Sequence, residues 1–192
     1  MRFLPRPDLA DISTRYRSNL TYVLVFTTAT VALLGLVTAI LEAPVIFPPI
    51  AATIFILFAF PLAEESHPRN VLGAYLVAVL AGMASVAAFG LWNEAPDLFH
   101  MRWDRLGASV LGVGLAVVGI GSLRVLHIPA LAATVMVTIG LVYEPIQFAY
   151  IVVFVLLSVG IALTVNRAFG LPQTLWSDPE DKVEPGQSTR RR

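Results

Sequence analysis

Phe47-Pro48-Pro49-Ile50-Ala51-Ala52-Thr53 decides how this chain folds, because the stretch returns as Ile128-Pro129-Ala130-Leu131-Ala132-Ala133-Thr134. Pro48 aligns with Pro129, and Ile-Ala-Ala-Thr with Leu-Ala-Ala-Thr. Each copy opens with proline inside an apolar segment. Proline lacks an N–H, and its fixed φ suits the first turn of a helix. Each copy therefore predicts a helix that begins inside a greasy region. Small residues are common enough to coincide by chance. The flanks argue for a genuine repeat, since a long uncharged segment precedes each copy and another follows it.

Composition sets the surroundings. The 192 residues are 57% hydrophobic and 14% charged, against roughly 25% charged in a soluble domain, and mean hydropathy is +0.76. Four uncharged windows reach about the 20 residues that cross a bilayer: Leu20–Leu41, Val71–Trp92, Leu106–Leu123 and Pro145–Val165. The expected fold class is an all-α polytopic membrane protein. It is built from two repeats of long helix, proline-opened short helix (broken or re-entrant) and long helix. Repeat one covers residues 20–92 and repeat two residues 105–166. A cytoplasmic N-terminal segment, 1–19, precedes this single transmembrane domain, and a disordered cytoplasmic tail, 167–192, follows it. Arg2, Arg6, Arg15 and Arg17 ahead of the first span place the N-terminus in the cytoplasm, and a bacterial inner membrane is the expected location. The net charge of zero gives no footprint for nucleic acid, and the absence of cysteine excludes disulfides and thiolate metal sites.

The first short segment is Ala43–Ala63, uncharged but broken by Pro44, Pro48, Pro49 and Pro61. It predicts extended chain to Phe47 or Pro48, then a helix from Pro49 to Phe60. The second short helix is expected from Pro129 to about Val142. Non-helical backbone at membrane depth survives only where protein buries it or where it lines a wet cavity. If the short helices cross, each half crosses three times and the repeats are inverted. If they are re-entrant, each half crosses twice and the repeats are parallel. The length of Ala43–Ala63 favours inversion.

Glu64-Glu65-Ser66-His67-Pro68-Arg69-Asn70 is the densest polar cluster between two membrane segments. Glu64 and Glu65 read as solvated. The Arg69 guanidinium and the Asn70 amide, at the head of the next span, can hold an anion, or Asn70 can cap the helix. His127, two residues before Pro129, is either interfacial or a group that titrates and donates to an anion. Ala74, Ala78 and Gly82 form one stripe of small residues, and Ala108, Gly112 and Ala116 another. Such stripes let helices approach closely, against each other or against a broken helix.

Pro68-Arg69-Asn70-Val71-Leu72-Gly73, with His127-Ile128-Pro129 and Ala132-Ala133-Thr134, resembles the HPP family of integral membrane proteins over roughly Pro44 to Val165. The resemblance implies a family usually described with four spans, whose plastid and cyanobacterial members are linked to nitrite transport. This chain departs from the pattern. Isoleucine stands in the middle of the His-Pro-Pro signature, Ala74 replaces the second glycine, and Tyr75 occupies the place expected for a family histidine.

Two proline-opened helices starting at membrane depth would aim two N-termini, each with about half a positive charge and free N–H donors, at a shared site. Ala51, Ala52, Ala132 and Ala133 would leave those donors uncovered. Thr53 and Thr134 would add hydroxyls, and Arg69, Asn70 and His127 would draw the anion to the mouths. The expected function is transport or facilitated passage of a small inorganic anion, nitrite foremost. No acid lies within a long span to relay sodium or protons. The expected partners are the anion and the lipid bilayer, with a homo-oligomer left open. No cofactor, metal or enzymatic activity is expected, because His67, His100 and His127 stand in three different loops. A non-transporting membrane scaffold or assembly protein is the first alternative, and a membrane enzyme the second.

Overall fold

The computed structural model describes residues 19–40, 48–92, 94, 100, 102–171 and 173. The N-terminal segment, most of the extended stretch before Pro48 and nearly all of the tail lie outside them. Among the described residues there are six α-helices: α1 (Leu20–Ile40), α2 (Pro48–Ala59), α3 (Pro68–Ala88), α4 (Trp103–Leu123), α5 (Pro129–Thr138) and α6 (Pro145–Ala168), with a 3-10 turn at Glu64–Ser66. No strand occurs among the described residues. At 1.5 Å per residue, α1, α3, α4 and α6 are each roughly 30 Å or longer, whereas α2 and α5 reach only about 18 and 15 Å. The four long helices are apolar enough to cross a membrane. They leave Leu24, Leu76, Val118 and Leu156 exposed along their flanks, as a hydrocarbon surround allows.

Polar contacts sort the helix ends into two groups. At one end, Asn166 near the close of α6 meets Tyr22 at the start of α1 and the Leu57 carbonyl at the close of α2. There too the turn carbonyls meet Asn70 at the start of α3 and His127 between α4 and α5. At the other end, Arg105 at the start of α4 reaches the Thr138 carbonyl closing α5 and the Glu94 carbonyl beyond α3. Successive helices therefore run in alternating directions. α5 runs from the first group to the second, with non-helical chain on either side of it, and α2 closes at the first.

α5 lies at the centre of its half, against α2, α3 and α4, and the small stripes make room for it. A Cβ on Gly82 would come within 2.9 Å of Val137, and one on Gly112 within 2.9 Å of Thr138. Ala74, Ala78, Ala108 and Ala116 are fully buried. Both stripes thus serve the broken helix as well as each other. α5 ends four residues earlier than the sequence suggests. Gly140, at φ +86, takes the left-handed position that most residues avoid. Its N–H reaches the Val137 carbonyl and that of Leu141 the Met136 carbonyl, a pattern that terminates helices.

Candidate functional site

The connector between α4 and α5 builds the site. α4 closes on Arg124, which adopts the left-handed conformation at φ 54 with its N–H on Gly121, while Val125 N–H returns to Ile120. Val125 then lies on Gly73 of α3, where a Cβ would stand 2.8 Å from Val125 Cγ1. Gly73 admits the connector, and the connector carries His127 into complete burial.

His127 Nδ1 is 2.8 Å from the Glu65 carbonyl and Nε2 is 2.8 Å from Thr53 Oγ1. Tyr75 Oη lies 2.9 Å from the same threonine oxygen. A carbonyl only accepts, so Nδ1 carries the hydrogen and, in the neutral ring, Nε2 accepts. Thr53 then donates to His127 and receives from Tyr75. Thr53 has a second acceptor, the Pro49 carbonyl at 3.0 Å. With a protonated ring, Nε2–H donates to Thr53 Oγ1 and Thr53 turns its hydrogen to Pro49. The cluster is satisfied in both protonation states. His127 lies outside the four long spans. Burial pushes it down to about 4, opposed by its bond to the Glu65 carbonyl, and the adjoining N-terminus of α5 further disfavours a cation.

The turn that holds His127 is a hub of three successive carbonyls. Glu64 accepts from Asn70 Nδ2 at 2.8 Å, Glu65 from His127, and Ser66 from Gln173 Nε2 at 2.8 Å. Ser66 Oγ in turn donates at the close of α2, to Phe60 and Ile56. Asn70 thus binds the turn; the α3 N-cap is His67, with no side-chain cap bond. Asn70 Oδ1 is buried and meets no hydrogen-bond partner among the described residues. The Glu65 side chain is half-buried, and desolvation, then the charge of Glu64, raises its pKa.

The other expected site residues fall elsewhere. Thr134 is fully buried and donates to the Ala78 carbonyl of α3 at 2.9 Å. Ala133 is buried, Ala51 half-buried, and Ala52 and Ala132 exposed. Arg69 is half-buried in the first turn of α3, at the His127 end. The structure therefore unites Thr53 with His127 and links Asn70 to them through the turn, while Thr134 and the alanines lie outside this cluster. The sequence marks Tyr75 only as a departure from the family pattern, not as a site residue, and gives no sign of Ser66, Asn166 and Gln173. A tyrosine five residues beyond Asn70 in an apolar helix was the available signal, since a membrane-buried phenol needs a partner. Tyr75 also forms one wall of a groove of about 380 Å³ between α3 and α6, lined otherwise by apolar side chains such as Leu72, Leu76, Phe148 and Val155.

The family model described as HPP, transmembrane region, matches residues 13–173. No curated protein and no solved structure matches the chain.

Proposed function

Since this chain belongs to the HPP family of integral membrane proteins, we propose that it passes a small inorganic anion, nitrite foremost, across a bacterial inner membrane, with both termini in the cytoplasm. The observation that carries this reading is the 2.8 Å contact between His127, two residues before α5, and Thr53, one and a half turns into α2. It sets the second turn of α2 against the connector that opens α5 inside the bundle, where the free N–H groups and positive end of α5 favour an anion. Thr53, Tyr75 and His127 form the inner contact, with Arg69 and Asn70 at the mouth. The alanines keep the opening turns slim, and Thr134 anchors α5.

The same reading takes α1–α3 and α4–α6 as inverted repeats. α2 packs on α1 and α6 as α5 packs on α4 and α3, and the two triplets start from opposite ends of the bundle. A transporter is preferred to an enzyme because the Thr53 hydroxyl that donates to His127 is fully buried and, among the described residues, no carboxylate joins the cluster. The test is flux of nitrite, nitrate, formate and chloride into liposomes containing the full chain. Protein-dependent uptake of at least one anion supports the reading, and rates equal to empty liposomes for all four refute it. A static scaffold is favoured by one observation: His127, Thr53 and Tyr75 satisfy one another with no space between them.

A further inference from the structure

The cluster holds a proton acceptor where an anion would stop, and the space beyond it suits no anion. The groove behind Tyr75 is walled by leucine, valine, isoleucine and phenylalanine, and a bare charge does not enter such walls. Resting on the anion-path reading above, we infer that His127 protonates its substrate: the site takes anions of weak acids, and the neutral acid passes along the apolar groove between α3 and α6.

The step balances with the aqueous proton as co-reactant. A hydronium ion delivers a proton to Nε2 and forms an N–H bond. Thr53 rotates its hydroxyl to the Pro49 carbonyl, the acceptor already at 3.0 Å. Thr53 then gives up its contact with Nε2, and the imidazolium N–H pairs with the arriving anion in its place. The N–H bond breaks, an O–H bond forms on the anion, His127 returns to neutrality and the acid leaves uncharged. The titratable and charged groups on the surrounding elements are Tyr75, His67 and Arg69 on α3 and its cap, Glu64 and Glu65 in the turn, and Arg124 in the connector. α2 and α5 carry none. Glu65 meets His127 through its backbone carbonyl. Among the described residues no carboxylate is bonded to the ring, so a mobile anion is the counter-charge that lets it protonate.

The experiment uses liposomes holding the full chain, an internal pH dye and a potassium–valinomycin clamp on membrane potential. Sodium nitrite, formate, nitrate or chloride is added outside at one pH, with protein-free liposomes as the baseline. Nitrite and formate uptake is expected to acidify the lumen by one proton per anion and to ignore the clamped potential. Nitrate and chloride, anions of strong acids, are expected to give no flux above baseline. His127→Gln is expected to lower the proton-linked uptake tenfold or more. The wild-type ion panel decides the matter even if that variant does not fold. Nitrate or chloride uptake equal to nitrite, or uptake that follows potential without acidification, overturns the inference while leaving an anion path. No protein-dependent flux of any anion overturns both.

Discussion

His127 and Arg105 stand at opposite ends of the same short helix, and each gives a hydrogen bond to a backbone carbonyl at a point where the chain changes direction. The similarity stops there. Arg105, 5% exposed, puts Nη1 on the Thr138 carbonyl at 3.1 Å and Nη2 on the Glu94 carbonyl at 2.7 Å. It lies at the negative end of the α5 dipole and keeps its charge through the physiological pH range. His127 lies at the positive end, where a charge is disfavoured, and its free ring nitrogen meets a hydroxyl that can reverse direction. One end of α5 is stapled by a permanent cation, and the other holds a group whose charge is optional. The proposed function rests on the optional one.

The largest expected effect lies at the stapled end. Arg105→Met leaves two carbonyls without their charged donor and is expected to cost about 3 kcal/mol, from hydrogen bonds to a charged group. A melting temperature equal to wild type in detergent would remove the staple from the account. Next is Gly140→Ala. The new Cβ would stand 3.0 Å from the Arg105 guanidinium at a backbone φ of +86, at a cost of about 2 kcal/mol. Thermal unfolding with Gly114→Ala as control checks it, since nothing lies within 4 Å of a Cβ at Gly114.

The optional end is sensitive to acid. His127 has its folded-state pKa lowered from 6.5 to about 4, so the unfolded chain binds the extra proton first. Its contribution is fully present above pH 6.5 and is lost as pH falls towards 4, by up to about 1.4 kcal/mol per unit. The melting temperature of wild type is expected to fall over that window, and His127→Gln is expected to flatten this part of the profile. Identical slopes in the two proteins would show that other groups set the acid response. The smallest effect belongs to Arg124, the one non-glycine residue at positive φ among those described. Arg124→Gly is expected to stabilise by about 1 kcal/mol, read as a higher melting temperature.

The sequence made the helices legible wherever a physical rule acts locally. Uncharged length marked the long spans, and proline marked the openings of α2 and α5 within a residue. The end of α5 was misplaced because apolar residues continue past Thr138, and what stops the helix is one glycine folded against an arginine 35 positions earlier. Thr53 and His127 were legible as candidates from the repeated motif and from a histidine beside a helix opening. Their partnership was not, because 74 residues separate them and periodicity carries no information across that distance. Asn166 and Gln173 looked like the start of a polar tail, yet they tie α6 back to α1, α2 and the Glu64–Ser66 turn. A lone amide in a polar stretch gives no sign of the carbonyl it will meet.

Thr53 tests the central claim most directly, since it joins both short helices and does not titrate. Thr53→Ser keeps the hydroxyl, Thr53→Val removes it at constant shape, and Thr134→Val removes the equivalent hydroxyl that binds only Ala78. Nitrite uptake by liposomes holding each full-length variant, at matched folded protein, is the measurement. The account predicts a fall of about tenfold for Thr53→Val, roughly 1.4 kcal/mol, with wild-type rates for Thr53→Ser and Thr134→Val. Equal rates for Thr53→Val and Thr134→Val would contradict it and place the path away from the contact between the two short helices.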